Sequence, residues 1–461
     1  SIDFYKAQQV HRLGEKGAVS QGLVFEEEEK RTRLFSISIP VVMESCHGDA
    51  SGGDVAKRTG AFRNKEFELP LATKIVINEE HVKIVRPDGS KPGSKVIPYS
   101  DIGGASLESS FVLTIHTFPL VASGLWGARK RVQHDIRLPC CNKRQVEVLR
   151  LNLLNVMENN ELDAERPRRH LLVLINPFSG TRQALKVFAS IRHILEMRGA
   201  SLHVQETLRA QHALEIVKEI DVTSYDGIVT VSGDGLLSEV VQGIMQHVNR
   251  DAVKLPLGVI PGGTGNAVAY SMCYYAEEPF DAISCALLVN SGDTVPLDLA
   301  EVTQGPNKPP TWAFSGLYWG LIADIDLESE ACRSCGSLRN DIYSVLRIAN
   351  LRRYSGVLHY RHGNQPMQKI EGEFTLLAAV NLAWLDSGSV LVSPSVRPDC
   401  GYWDILIMQS PSRCEVIGAL LSGHNPDKPK CSRTIRASEF TLEPNARTLS
   451  MPGHIDVDGE E

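Results

Sequence analysis

The chain has 461 residues, and 48 Lys and Arg against 55 Asp and Glu leave a net charge of −7, so no bulk basicity points to nucleic acid. With 43% apolar and 22% charged residues, and no apolar run long enough to cross a bilayer, the composition is that of a globular protein with large cores and argues against a transmembrane one. The length predicts two or three domains; Ser1-Ile2-Asp3-Phe4-Tyr5 carries no secretory signal pattern, and ten scattered cysteines set the expectation of reduced thiols in the cytoplasm.

Along the chain, the acidic run Glu26 to Glu29 and the mixed stretch Gly48 to Gly60 read as solvated loops. Short strands follow at Lys74–Ile77, Val82–Val85 and Phe111–Ile115, with the turn signal Arg86-Pro87-Asp88-Gly89 after the second. Val146, Leu149, Leu153, Val156 and Met157 then recur at helical spacing, so an antiparallel sheet ending in a capping helix is expected. That element order resembles a pleckstrin-homology (PH) domain and sets the first domain at 1–160. The polar segment from Glu158 to His170, with Pro167 inside it, reads as a linker.

Leu171 to Ile175 is the continuous apolar run of a strand buried on both faces, and Ala184, Val187, Phe188, Ile191 and Leu195 continue at helical spacing. Strand and helix alternate through Leu202–Val204, Gln211–Glu219, Ile228–Val231, Leu236–His247 and Leu257–Ile260, which predicts a doubly wound, mostly parallel α/β lobe over 161–294. From 295 to 461 short apolar runs dominate, as in Phe374–Ala378 and Trp403–Ile407, and predict a mostly-β lobe built as a sandwich or curled sheet. The one clear helix there is Asp341 to Leu351, with Ile342, Val345, Leu346 and Ala349 on its apolar face. Cys332-Arg333-Ser334-Cys335 has CxxC spacing but no second ligand pair, so neither a metal nor a redox site is assigned to it.

Three α/β strands end in glycine-bearing turns that lead into helices: Asn176-Pro177-Phe178-Ser179-Gly180-Thr181, Ser232-Gly233-Asp234-Gly235 and Gly262-Gly263-Thr264-Gly265-Asn266. At the carboxyl edge of a parallel sheet, such turns let backbone N–H groups and helix N-termini approach a phosphate. Neither GxGxxG after the first strand nor GxxxxGK[ST] is present, and an acid, Asp234, sits inside the second loop. Among phosphates an acid must serve Mg²⁺ or take a proton from an acceptor hydroxyl, as a phosphotransferase requires.

Ser232 to Val240, with Pro261 to Asn266 downstream, resembles the diacylglycerol-kinase-like catalytic domain of lipid kinases. Trp319-Gly320-Leu321-Ile322-Ala323-Asp324-Ile325-Asp326-Leu327-Glu328-Ser329-Glu330 narrows the resemblance to sphingosine kinases, and Thr207, Gln211-His212-Ala213, Tyr354-Ser355-Gly356 and Asp458-Gly459-Glu460 fall in that family's order. The resemblance implies an ATP- and Mg²⁺-dependent kinase acting on the primary hydroxyl of sphingosine or a related long-chain base. Asp234 would accept or orient the hydroxyl proton, and Asp326 would hold the polar head of the base. Asn176, Pro177, Phe178, Thr207, Ser232, Gly233, Gly235, Glu239, Gly263, Thr264 and Gly265 would line the nucleotide. Arg333 and Arg339 would reach its phosphates, and Asp458, Gly459 and Glu460 would close the site; no metal ligands are assigned. Ceramide or diacylglycerol kinase, a non-catalytic lipid-binding scaffold and an NAD kinase are the competing readings.

Other readings of the same residues stand beside these. Arg333 and Arg339 could pair with Glu328 or Glu330 on a solvated face, and Asp324 and Asp326 would share one face if their segment were a strand. His212 reads as a helix-start or packing residue. Three departures from the family pattern stand out: Ser179-Gly180-Thr181-Arg182 replaces a Gly-Gly-Lys-Gly-like loop, Gly316 aligns with a position that is often serine, and relatives continue into further strand beyond the motif at Asp458. Finally, Trp126 with Arg129, Lys130 and Arg131 forms a candidate patch for peripheral contact with a membrane that carries the lipid substrate.

Overall fold

The computed structural model describes residues 2–4, 35–38, 65–70, 73–78, 80–86, 94–109, 111–123, 128–157, 169–180, 182–249, 255–304, 308–329, 331–332, 339–385, 391–421, 432–444 and 453–459. The loops expected at Glu26–Glu29 and Gly48–Gly60, the turn at Pro87–Gly89, the linker from Glu158 and the side chains of Trp126, Thr181, Glu330, Arg333 and Glu460 lie outside these residues.

Two short strands, β1 (Ile2–Phe4) and β2 (Phe35–Ser38), come first in the chain. Next is a four-stranded antiparallel sheet of β3 (Lys65–Glu68), β4 (Lys74–Ile77), β5 (His81–Val85) and β6 (Ser94–Pro98). It is followed by β7 (Ile102–Ser109), β8 (Val112–Thr117), the ribbon of β9 (Leu120–Ser123) and β10 (Ala128–Arg131), and β11 (His134–Pro139); β7, β8 and β11 form a second sheet. Helix α1 (Lys143–Met157) closes the unit, burying Val146, Leu149, Leu153 and Val156 against Ile75, Ile84 and Leu113. The alternation of these strands and the period of α1 were both legible as an apolar pattern.

The second unit is a six-stranded sheet in the order β13-β12-β14-β15-β1-β16, where β12 is His170–Ile175, β13 Ser201–Glu206, β14 Gly227–Ser232, β15 Leu257–Pro261 and β16 Val295–Leu297. The strands β12 to β15 pair in parallel, and α2 (Ala184–Glu196), α3 (His212–Glu219), α4 (Asp234–Met245), α5 (Ala267–Tyr275) and α6 (Ala282–Ser291) alternate with them. All of Leu171 to Ile175 is buried, as a strand covered on both faces requires. Residues 2–4, expected in the first domain, lie in this sheet beside β15 and β16.

The third unit is a ten-stranded sheet of β2, β17 (Ala300–Gln304), β18 (Thr311–Ala313), β19 (Gly316–Gly320), β20 (Tyr354–Arg361), β21 (Gln368–Val380), β22 (Trp403–Gln409), β23 (Ser432–Ala437), β24 (Glu439–Pro444) and β25 (Ile455–Val457). Strand β21 shifts register between Phe374 and Leu376; its first half pairs with β20 and its second half with β19 and β22, so one long strand carries neighbours on both edges. One face carries a core that includes Leu317, Trp319, Leu377, Ala379, Ile405, Ile407, Ile455 and Val457. The opposite face carries Tyr318, Leu376, Ala378, Val380 and Met408 under α7 (Leu321–Ser329), α8 (Arg339–Ala349) and α9 (Arg413–Leu421). Among the described residues no helix is long and apolar enough to cross a membrane.

Candidate active site

The strands β12, β14 and β15 end level, at Ile175, Ser232 and Pro261, so their three loops meet at one edge of the sheet. They meet backbone to backbone. A Cβ on Gly263 would lie 2.4 Å from Gly233 N, one on Gly233 would lie 2.5 Å from Gly265 O, and Gly180, at φ +48°, would set one 2.8 Å from Thr264 N. Any side chain there forces the loops apart. The Gly233 N–H also donates to Ser179 Oγ at 3.4 Å, while nothing lies within 4 Å of the Cβ direction of Gly235.

Asn176 holds the first turn by accepting the Phe178 N–H at 3.0 Å, Pro177 lies between them, and Phe178 stands 63% exposed at the rim. Thr207 is buried and donates its N–H to Ile175 O at 2.8 Å; Ser232 is buried and accepts the Gly262 N–H at 2.9 Å. The expected nucleotide-lining residues of the three loops therefore gather at one edge. Glu239, on α4, accepts the Ala213 N–H in the first turn of α3 at 3.0 Å. His212 begins α3 and accepts the Leu208 N–H at 3.1 Å, a helix-start role as expected.

Asp234 is the first residue of α4, and its carboxylate accepts the Ala267 N–H at 2.6 Å and the Val268 N–H at 3.1 Å from the first turn of α5. Burial pushes this carboxyl above its ordinary range, against the pull of those two N–H groups. It is thus a carboxyl held at the N-termini of two helices, where positive partial charge also favours a phosphate.

Facing it from the β lobe is Asp458, at φ +52°, which accepts N–H groups from Phe314, Ser315 and Gly316, each at 2.9 Å. Burial pushes it up to about 7 despite these donors, and the charge of Asp234 adds to the effect. Two residues earlier, Asp456 is buried and accepts the Gly459 N–H at 2.7 Å. Because Ile455 and Val457 point into the core on one face, Asp456 points to the face under the helices. There burial, then the charge of Asp326 and a hydrogen bond between the two side chains, push it up to about 8. The sequence reading missed Asp456; the signal was a carboxylate alternating with apolar residues in a buried strand. It also missed Tyr318.

The segment carrying Asp324 and Asp326 is helical, so residues two apart differ by about 200° around the axis and cannot share a face. Asp324 is buried, accepts the Tyr354 hydroxyl at 2.5 Å and lies 3.6 Å from Arg352, whereas Asp326 meets Asp456. Glu328 pairs with Arg352 at 2.6 Å and Arg347 at 3.4 Å. Arg339 begins α8 and Gly459 is exposed beside Asp458.

Two further expectations are corrected. Arg131 belongs to no membrane patch: its buried side chain bonds Asp101 at 2.6 Å, Glu278 at 2.5 Å and Phe118 O at 2.7 Å, tying the N-terminal sheets to the parallel-sheet lobe. Arg129 reaches Glu277 O at 3.5 Å. Cys332 is disulfide-bonded, an exception to the expected reduced thiols, whereas Cys140, Cys141, Cys273, Cys285, Cys400 and Cys414 are free.

A carboxylate has about four lone-pair sites. Asp234 gives two of them to backbone donors and Asp458 three, so both keep capacity for a cation. Among the described residues no group of three metal-ligating side chains is present. This donor set fits a Mg²⁺ that arrives with substrate phosphates, which supply most of its ligands.

Residues 170–302 match the diacylglycerol kinase catalytic domain family. Over 338 residues, 64% of this chain and 68% of the relative, the chain is 33% identical to Sphingosine kinase 1 of Arabidopsis thaliana. It is 32% identical over 329 residues to Sphingosine kinase 2 of Homo sapiens, covering 65% of this chain and 49% of the human one. The fold is similar to the crystal structure of a putative diacylglycerol kinase from Bacillus anthracis str. Sterne, at TM-score 0.50 and 19% identity over 65% of this chain and 91% of that one.

Proposed function

This chain belongs to the sphingosine kinase family of lipid kinases, and we propose that it transfers the γ-phosphoryl group of ATP to the primary hydroxyl of sphingosine or a related long-chain base. The acceptor oxygen bonds to the γ-phosphorus as the bond to the β–γ bridging oxygen breaks. ADP leaves with that electron pair, and the hydroxyl proton passes to Asp234. The glycine loops and the N-termini of α4 and α5 hold the phosphates. Asp234 and Asp458 would hold Mg²⁺, whose charge neutralises phosphate oxygens.

The observation that carries the choice of lipid is the Asp326–Asp456 pair, set in an apolar layer on the Asp234 side of the β lobe. Two adjacent carboxyls, Asp456 buried and Asp326 half-buried, call for a cation or a proton between them. A sphingoid base brings an ammonium group and an apolar tail; ceramide and diacylglycerol bring only the tail. Labelled ATP and Mg²⁺ with sphingosine, phytosphingosine, ceramide and diacylglycerol test this directly. Sphingosine and phytosphingosine should be preferred by at least about tenfold, and equal rates on diacylglycerol would sink the assignment.

The two antiparallel sheets closed by α1 are read as a PH-like unit, which runs from about residue 65 to the linker rather than from residue 1, followed by the nucleotide-binding lobe to 294 and a lipid-binding lobe from 295. The protein is read as cytoplasmic with a reversible membrane fraction. With Arg131 buried, the better membrane contact is α8, whose Ile342, Val345 and Leu346 are 44%, 68% and 50% exposed. The same helix sets Ile348 on the apolar layer beneath, so a lipid tail leaving the bilayer would meet that layer next.

A further inference from the structure

Tyr318 is a buried phenol that the scheme above leaves without a task. It lies in β19 between Leu317 and Trp319, which point into the core of the β lobe, so its own side chain is on the helix-covered face with Asp456, its register partner on β25. There the ring folds back along its own strand. A Cβ on Gly316 would lie 2.1 Å from the Tyr318 hydroxyl oxygen and 2.5 Å from Cζ, so the hydroxyl occupies the space a side chain at position 316 would fill. Glycine at 316 and the folded-back Tyr318 ring are thus one feature: the ring takes the space on this face that a side chain at 316 would fill.

The surroundings are not those of a packing residue. The hydroxyl is hydrogen-bonded to the Ser315 side chain and lies in the field of Asp456, Asp458 and, from the other lobe, Asp234. Asp458 in turn fixes this corner by accepting the N–H groups of Ser315 and Gly316. A purely apolar role would be met as well by phenylalanine, and a buried hydroxyl is retained where it has a partner. The partner the site still needs is the acceptor hydroxyl, which must be held with its proton toward Asp234 and a lone pair toward the γ-phosphorus.

We propose that the Tyr318 hydroxyl donates a hydrogen bond to the acceptor oxygen of the lipid and so orients it for deprotonation by Asp234 and attack on ATP. This rests on the reading of the site as a sphingoid-base kinase.

The test measures kcat on sphingosine, KM for ATP and thermal stability for the full chain and for Tyr318→Phe, Tyr318→Ala and the double variant Gly316→Ser/Tyr318→Ala. Tyr318→Phe should lower kcat by about tenfold to a hundredfold, in line with loss of one oriented donor, with KM for ATP within about twofold. Adding Gly316→Ser to Tyr318→Ala should recover at least about tenfold in kcat, because a serine hydroxyl then fits the vacated space. A Tyr318→Phe enzyme with unchanged kcat, or one whose loss is matched by equal losses in ATP affinity and stability, overturns the proposal. An inactive wild type overturns the kinase reading itself; an active wild type with an unaffected Phe variant overturns only the role of Tyr318.

Discussion

Around Asp234 the cleft is made of backbone, whereas around Asp456 it is made of carboxyl side chains. On the first side, glycines in van der Waals conflict with any added Cβ bring N–H groups and helix ends together, and one acid is fixed by two of those N–H groups. On the second side, side chains on one face of a β lobe set Asp326, Asp456 and Tyr318 against an apolar layer. The first design suits a ligand common to all kinases, because backbone presents the same donors whatever the side chains. The second suits a ligand that must be told apart from other lipids.

That contrast can be broken by experiment. The largest effect is expected for Asp234→Asn, which should lower turnover by about a hundredfold to ten-thousandfold while ATP still binds, since loss of a general base leaves the backbone cradle in place. Gly263→Ala should act in the reverse sense. Its Cβ meets Gly233 backbone at 2.4 Å, and overpacking of about 1–3 kcal/mol should weaken ATP by about fivefold to a hundredfold, read by nucleotide titration.

On the carboxyl side, Asp326→Asn and Asp456→Asn should each raise KM for sphingosine by about tenfold and change KM for an amine-free analogue by less than about threefold. The two losses should be less than additive in the double variant, because both partners act on one ammonium. Equal losses on both lipids would return the pair to a structural role. A smaller effect is expected for Val345→Ser with Leu346→Ser, which should reduce vesicle co-sedimentation by about threefold to tenfold and spare activity on detergent-dispersed lipid.

The smallest effect is a pH effect away from the cleft. Asp298, which accepts the Gly401 N–H at 2.6 Å, is pushed up to about 6 by burial. An acid with a raised folded-state pKa favours the protonated form, so its share of stability is present at about pH 4 and is lost as pH rises through about 6. Asp298→Asn should therefore become more stable relative to wild type by about 1 kcal/mol over that range in chemical denaturation.

The same contrast explains what was legible in the sequence. The loops at Gly180, Gly233 and Gly263 were visible because backbone geometry leaves glycine as its trace, and the strands beneath them because double burial leaves an unbroken apolar run. Asp456 showed only as an acid alternating with Ile455 and Val457, and the roles of Asp456 and Tyr318 were not visible, because their partners come from segments far apart in sequence or from the opposite lobe. The helix at Leu321–Ser329 was misread as possible strand, since two acids in alternation look the same in either period over so short a span. The apolar face of α8 was periodic, but periodicity does not say whether protein or lipid covers it.

The junction between the N-terminal sheets and the parallel-sheet lobe has a practical meaning for anyone seeking a minimal catalytic fragment. Phe118 is wholly buried in the core of the parallel-sheet lobe, Gly103 O accepts from Asn290 at 2.7 Å, and Arg131 is locked to Glu278. Excision before His170, where the sequence pattern suggests a seam, would leave a socket where the Phe118 ring sat and strip Glu278 of its guanidinium. The two pieces are better regarded as an indivisible casting, and truncations that begin at the linker should be insoluble for reasons unrelated to catalysis.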